Sequence, residues 1–159
     1  MHIIAGKYKG RALKYPKNKS FRPTKDKVKE ALFSIIQNEI QGASFLDLFC
    51  GTGAIGLEAL SRGAAKVVFS DQDTQYAKQN LATLDGDFEV ITCNIKHFFK
   101  INKNKFDLIF LDPPWSEKNL YCYALKAIFE FAILKNSIVI CEHYKKDLLQ
   151  LWFPEKTPR

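Results

Sequence analysis

Two short stretches of this chain combine residue types and spacing that could do chemistry, FCGTGAIG at 49 to 56 and DPPW at 112 to 115. In the first, Gly51, Gly53 and Gly56 stand in GxGxxG spacing, and Asp71 follows Gly51 by 20 residues. Glycine lacks a Cβ and tolerates positive φ, so such a loop lets a cofactor approach the backbone closely. Asp71 offers a carboxylate that can accept both hydroxyls of a ribose. Its plainer use is as a helix N-cap, for which Asp73 is equally suited. Cys50 lies inside the loop and can line the same space.

Asp47, just before the loop, separates the cofactors that such a pattern can hold. A pyrophosphate at this turn would be repelled by a carboxylate ending the same strand. A ligand with an ammonium, a sulfonium and an adenosine suits Asp47, the glycine loop and Asp71 together. That ligand is S-adenosyl-L-methionine, and the reading leans away from NAD. In the second stretch, Pro113 and Pro114 fix φ and remove N–H donors, leaving carbonyl acceptors on a rigid turn beside the Asp112 carboxylate. An acceptor-rich turn matches an exocyclic NH2. Such an amine is a weak nucleophile because its lone pair is delocalised into the ring. Accepting its hydrogens localises the pair and stabilises the charge that develops in transfer. Trp115 can stack on the base, which would have to leave any helical stack to arrive there. The alternative for DPPW is a rigid strand-ending turn with a core tryptophan.

These residues need a scaffold that ends strands at one rim, and the hydrophobic pattern supplies it. SFLDLF (44–49), KVVFSD (66–71), FEVITC (88–93), FDLIFL (106–111) and SIVIC (137–141) read as short, nearly continuous apolar strands. AIGLEALSRG, DTQYAKQNLATL and YCYALKAIFEFAIL read as helices between them. The alternation predicts an α/β fold with a mainly parallel, doubly wound sheet and helices on both faces. Ligands bind such sheets beyond the carboxyl ends of the strands. Asp47, Asp71, Asn94 and Asp112 all stand at strand ends, on one predicted rim. Upstream, Ile3-Ile4 and Ala12-Leu13 flank AGKYKGR as a small hairpin or extended arm. A helix opens at Pro23-Thr24, buries Val28, Ala31, Leu32, Ile35, Ile36 and Ile40, and ends at Gly42.

At 159 residues the chain fits a single domain, with residues 1–41 as a basic arm and helix and 42–159 as the cofactor-binding core. No apolar run approaches the roughly 18 residues that cross a bilayer, and the start lacks a secretory core, so a cytoplasmic location without membrane contact is expected. The four scattered cysteines and three dispersed histidines suggest neither a disulfide framework nor a metal site. His143, just past the fifth strand, could reach the rim. Residues 1–30 hold ten Lys or Arg and two acidic residues, net +8, while 31–159 hold 14 basic and 15 acidic, net −1. A neutral body with a basic arm suggests a polyanionic partner met by one face, most simply nucleic acid.

With Asp47-Leu-Phe-Cys-Gly51-Thr-Gly53-Ala-Ile-Gly56, Asp112-Pro-Pro-Trp115, Ile4-Ala-Gly-Lys-Tyr-Lys-Gly-Arg11, Arg22-Pro-Thr24 and Lys29-Glu-Ala-Leu-Phe33, nearly the whole chain resembles the RsmD family. The resemblance implies a Rossmann-like class I methyltransferase fold that uses S-adenosylmethionine to methylate the exocyclic N2 of a guanine in small-subunit ribosomal RNA. By position it implies that Asp47, Gly51 and Gly53 surround the methionine end of the cofactor and that Asp71 holds the ribose. Asn94 would bond the adenine amine where the family often has Asp. Asp112, Pro113, Pro114 and Trp115 would grip the guanine, and Arg22, Pro23 and Thr24 would lie beside the cofactor or the RNA. Of the basic arm, Lys7, Lys9 and Arg11 are the candidate RNA contacts. Asp71 and Trp115 stand where relatives commonly have Glu and Tyr or Phe. Relatives also continue through a final antiparallel strand pair, so a shortened C-terminus is expected after LLQLWFPEKTPR.

The expected reaction is direct methyl transfer, with Asp112 taking the proton of the amine and no metal or covalent enzyme intermediate. The substrate would be ribosomal RNA, within the small subunit or an assembly intermediate, and the enzyme a monomer. Two other classes fit the same residues. A DNA adenine-N6 methyltransferase would use the same acceptor turn, and an RNA-binding or assembly protein could retain the pocket without turnover.

Overall fold

The five apolar segments form one sheet in a computed structural model that describes residues 1–17, 26–114, 117–131 and 134–142. The strands are β1 (Ser44–Leu48), β2 (Lys66–Asp71), β3 (Phe88–Thr92), β4 (Phe106–Leu111) and β5 (Leu134–Cys141). Their order is β3-β2-β1-β4-β5, and every neighbouring pair is parallel. The helices are α1 (Asp26–Ile35), α2 (Ala54–Ser61), α3 (Gln75–Leu81), α4 (Ile95–Ile101) and α5 (Lys118–Glu130). The chain winds outward from β1 to β3 and then crosses back to β4, so the winding reverses between β1 and β4. In an open α/β sheet that reversal opens the ligand crevice at the carboxyl ends of the two strands.

Side chains alternate across the strands and divide the interior in two. Phe45, Val67, Phe69, Leu108 and Phe110 pack with Phe33, Ile36 and Leu57 on one face. Leu46, Leu48, Val68, Ile109 and Leu111 pack with Phe98, Phe99, Ala124 and Ile128 on the other. Among the described residues, no helix is long and apolar enough to cross a membrane.

Three features differ from the sequence reading. Helix α4 was not expected, although a parallel β3–β4 connection needs a crossover element; its seven residues are too few to show a clear amphipathic period. Helix α1 is rotated from its predicted phase. Lys29, Phe33 and Ile36 are buried, while Val28 and Ala31 face out and Ile35 is 78% exposed. Helix α5 begins before the predicted Tyr121, at Lys118, and β5 begins at Leu134 where SIVIC had placed it at Ser137.

The rotation of α1 has an electrostatic cause. Lys29 Nζ lies 3.4 Å from Glu58, and both side chains are fully buried. Glu58 also accepts the Ile4 N–H at 2.8 Å, the Ala5 N–H at 3.0 Å and the Arg62 Nε–H at 2.7 Å. Lys29 in turn donates to the His2 carbonyl. A buried ion pair persists only when its remaining hydrogen-bonding positions are satisfied, and here the arm's own backbone satisfies them. The arm is the expected hairpin, with an antiparallel bridge between His2 and Ala12 and Ile3 and Leu13 buried beneath it. One of the cations in the basic segment, Lys29, is therefore an internal group.

Candidate active site at the carboxyl ends of the strands

The polypeptide leaves β1 through a loop of unusual backbone. Phe49 has φ 67°, a conformation rare outside glycine, and Gly51 and Gly53 follow at 51° and 79°. The Phe49 and Cys50 N–H groups donate to the Ser70 carbonyl at 2.9 and 3.1 Å, holding the turn against β2. The glycines have separate physical uses. A Cβ on Gly51 would meet nothing within 4 Å, so this part of the loop faces open space. A Cβ on Gly56 would come within 2.3 Å of the Phe69 ring, so the third glycine lets α2 lie close on the sheet.

Asp47 lies beneath the start of α2, 2% exposed, and its Oδ2 accepts the Gly56 N–H at 2.8 Å. That donor belongs to the first helical turn, one of the free N–H groups that would otherwise attract a phosphate. Burial raises the Asp47 carboxyl from 3.8 to about 7; the Gly56 bond opposes the shift, and the charges of Asp112 and Asp71 add to it. A buried carboxyl held near neutrality ionises when a cation arrives beside it. The adjacent Cys50 is buried and its thiol is pushed far up by burial, so it is not a thiolate nucleophile.

Asp71 does not cap α3, which starts after Thr74. Its Oδ2 accepts the Gly51 N–H at 2.9 Å and its Oδ1 the Asp73 N–H at 3.1 Å, which ties the end of β2 to the glycine loop. Asn94 is the N-cap of α4, and its side-chain oxygen accepts the His97 N–H at 2.9 Å. The side chain is exposed, and its oxygen is already engaged by this cap.

Asp112 follows β4, beside β1 in the sheet. Burial raises its carboxyl from 3.8 to about 7, with the nearby Glu142 adding to the shift. Pro113 is buried and Pro114 exposed. The Pro114 carbonyl accepts the Glu117 N–H at 2.9 Å, so one acceptor of the turn is used by the chain itself. The structure thus gathers Asp47, Cys50, Gly51, Gly53, Asp71 and Asp112 at one rim, with Asn94 at the end of β3. Trp115, Arg22, Thr24 and His143 lie outside the described residues, as does the predicted C-terminal shortening.

Lys7, Lys9 and Arg11 of the hairpin stand elsewhere. Lys7 lies 3.7 Å from Asp85, Arg11 donates to Thr83, and the Lys7 N–H reaches the Ser61 carbonyl at 2.8 Å. These contacts sit at the far end of α2 and α3 from the glycine loop, about 12 Å away along an eight-residue helix. Lys9 is exposed on the same hairpin. The arm rejoins the loop further on. Asn80 accepts the Lys14 N–H at 2.7 Å and donates to the Lys14 and Thr52 carbonyls, both at 3.0 Å. Among the described residues, no three His, Cys, Asp or Glu are grouped to hold a metal.

Sequence reasoning passed over two acidic residues. Glu58 reads as an ordinary polar position on a helix, and nothing local marks its pairing with Lys29. Glu142 ends β5 as Asp112 ends β4, and the rule that singled out strand-ending residues applies to it as well.

Comparison with known proteins agrees with this architecture. A family model described as conserved hypothetical protein 95 matches residues 1–155. Ribosomal RNA small subunit methyltransferase D of Haemophilus influenzae is 39% identical over 155 residues, covering 92% of this chain and 80% of the relative. The protein of the same name from Escherichia coli K12 is 40% identical over 119 residues, 72% of this chain and 60% of the relative. Among solved structures, Escherichia coli yhhF, provisionally described as a methyltransferase, superposes with a TM-score of 0.80 at 32% identity. That match covers 90% of this chain and 80% of yhhF.

Proposed function

We propose a function from one premise: the chain belongs to the conserved hypothetical protein 95 family, the RsmD family, and is a methyltransferase of Rossmann-like class I fold. The reaction we infer is transfer of a methyl group from S-adenosylmethionine to the exocyclic N2 of a guanine in small-subunit ribosomal RNA. The carrying observation is the pair of strand ends at the winding reversal. Asp47 lies buried beneath the loop of β1, and Asp112 stands at the end of β4 beside it.

The residues present fit the cofactor. Open space at Gly51 admits it against the backbone. Asp47 would hold its cationic end, Asp71 its ribose and Asn94 its adenine. Bound there, S-adenosylmethionine supplies a methyl carbon activated by the sulfonium. Asp112 accepts an N–H of the target amine, keeps its lone pair directed out of the ring's plane of conjugation, and takes the proton that leaves N2. Alignment of this kind is worth about 7 to 11 kcal/mol when the reacting atoms are well placed. The Pro113 carbonyl is the second acceptor for the amine, and Trp115 the surface on which the base stacks.

RNA contact is assigned to the arm, through Lys7, Lys9, Arg11, Arg22 and Thr24. The RNA then extends about 12 Å from the rim along α2. The enzyme acts as one domain, a cytoplasmic monomer, on small-subunit RNA or an assembly intermediate. Calorimetric titration with S-adenosylhomocysteine and, separately, NADH tests the cofactor assignment. Saturable binding of the first alone is expected; binding of NADH alone would overturn it.

A further inference from the structure

We propose that Glu142 is a specificity-determining residue that accepts the N1–H of the target guanine while Asp112 accepts its N2–H, so that two carboxylates on neighbouring strand ends choose guanine over adenine. This rests on the guanine reading above and assigns the group that enforces it.

The geometry begins with the sheet register. Leu111 of β4 pairs with Cys141 of β5, so Asp112 and Glu142 are the next residues past one register pair. Strands in a sheet lie about 4.8 Å apart, and residues at matching positions of a parallel pair direct their side chains to the same face. The Glu142 N–H donates to the Leu111 carbonyl at 3.0 Å, which carries the pairing through to these two positions. The buried Tyr121 of α5 donates its hydroxyl to the Glu142 carbonyl, fixing the backbone from the other side. Glu142 is thereby held beside Asp112, close enough for its charge to raise the Asp112 carboxyl further.

The half-buried Glu142 side chain stands out among the described residues. Its Oε2 is buried without a hydrogen-bond partner among the described residues. Buried polar atoms in folded proteins nearly always have a partner, and one without it invites a functional explanation. Burial raises its carboxyl as well, as expected for an acceptor whose donor arrives with the substrate.

The Watson–Crick edge of guanine presents two adjacent donors, N1–H and the N2 amine. Adenine presents an amine beside an N1 lone pair, which would meet the second carboxylate as acceptor against acceptor. A site built to receive a hydrogen bond discriminates strongly against the analogue that cannot make it, because its own buried group is left unpaired. Accepting N1–H also moves electron density through C2 toward N2, the atom that must attack.

The test uses Glu142→Gln, which keeps the shape and turns one oxygen into a donor. Small subunits are reconstituted with ribosomal RNA carrying either guanosine or 2-aminopurine riboside at the position that wild type methylates. The second base keeps the 2-amino group but has a bare N1. At pH 8, E142Q is expected to lose about ten- to a hundredfold in kcat/KM on guanosine, the range of one well-made base contact. It should lose little, or gain, on 2-aminopurine, so that the ratio between the bases collapses. Glu142→Asp, which keeps the charge, should keep the preference for guanosine even if its rate falls. Equal losses on both bases, with E142Q melting like wild type, would overturn the assignment and make Glu142 a structural residue. A wild-type enzyme that transfers no methyl to the guanosine particle would instead overturn the guanine reading and this inference with it.

Discussion

Asp47 and Asp112 are carboxyls raised to about 7 by burial, and this has a consequence for stability that can be measured without substrate. In the unfolded chain they titrate near 3.8, so between about pH 4 and 7 the folded state binds the extra protons. Stability from this source is complete below about pH 4 and is lost as pH rises through 7. The ligand-free protein should therefore lose melting temperature between pH 5 and 8. Asp47→Asn keeps an acceptor for the Gly56 N–H, and should flatten that decline and raise the melting point at pH 8. The same substitution should weaken S-adenosylmethionine binding at pH 8 by about ten- to a hundredfold, the worth of a charge-assisted contact. An unchanged affinity would show that Asp47 is only the acceptor for α2. For Asp112→Ala, kcat in the methyl transfer assay should fall by about a hundred- to ten-thousandfold. Calorimetry should find its S-adenosylhomocysteine affinity little changed, and an equal loss of both would remove Asp112 from the chemistry.

At the scale of elements, the loop and α2 work as one unit because Gly56 lets the helix lie on Phe69. Gly56→Ala would put a methyl group into that ring, at 2.3 Å. Denaturant titration should show a loss of about 1 to 3 kcal/mol from overpacking, despite the better helix propensity of alanine. The central strands were legible because fully buried parallel strands read as continuous apolar runs, and β2 and β4 match their predicted spans residue for residue. The rim was legible for the same reason, since Asp71 and Asp112 close such runs and Asp47 stands one residue before the end of β1. Helix α4 was hidden by its brevity, and the phase of α1 by an interaction no local pattern carries. Val28, Ala31 and Ile35 suggest one buried stripe, but the Lys29–Glu58 pair turns the helix to another. Glu142 follows β5 as Asp112 follows β4, but a lone glutamate after an apolar run carries no local mark of a site, whereas the proline pair after Asp112 does.

Over the whole molecule, charge and chemistry occupy different places. The rim is acidic, while the hairpin's contacts lie beside the far end of α2, a helix about 12 Å long. Such a division suits a polyanion that lies along the arm and sends one base into the rim. Replacing Lys7, Lys9 and Arg11 together by alanine should weaken RNA binding across sequences. The salt dependence, log K against log salt, should become shallower by about two if three phosphate contacts to single-stranded RNA are lost. Affinity for S-adenosylhomocysteine should not move, since none of the three reaches the loop. The decisive measurement is transfer of a labelled methyl group from S-adenosylmethionine to small ribosomal subunits and to DNA, with the modified nucleoside identified by mass spectrometry. N2-methylguanosine in the small-subunit RNA is the expected product. N6-methyladenine in DNA, or no methylated nucleoside in either substrate despite bound cofactor, would contradict it.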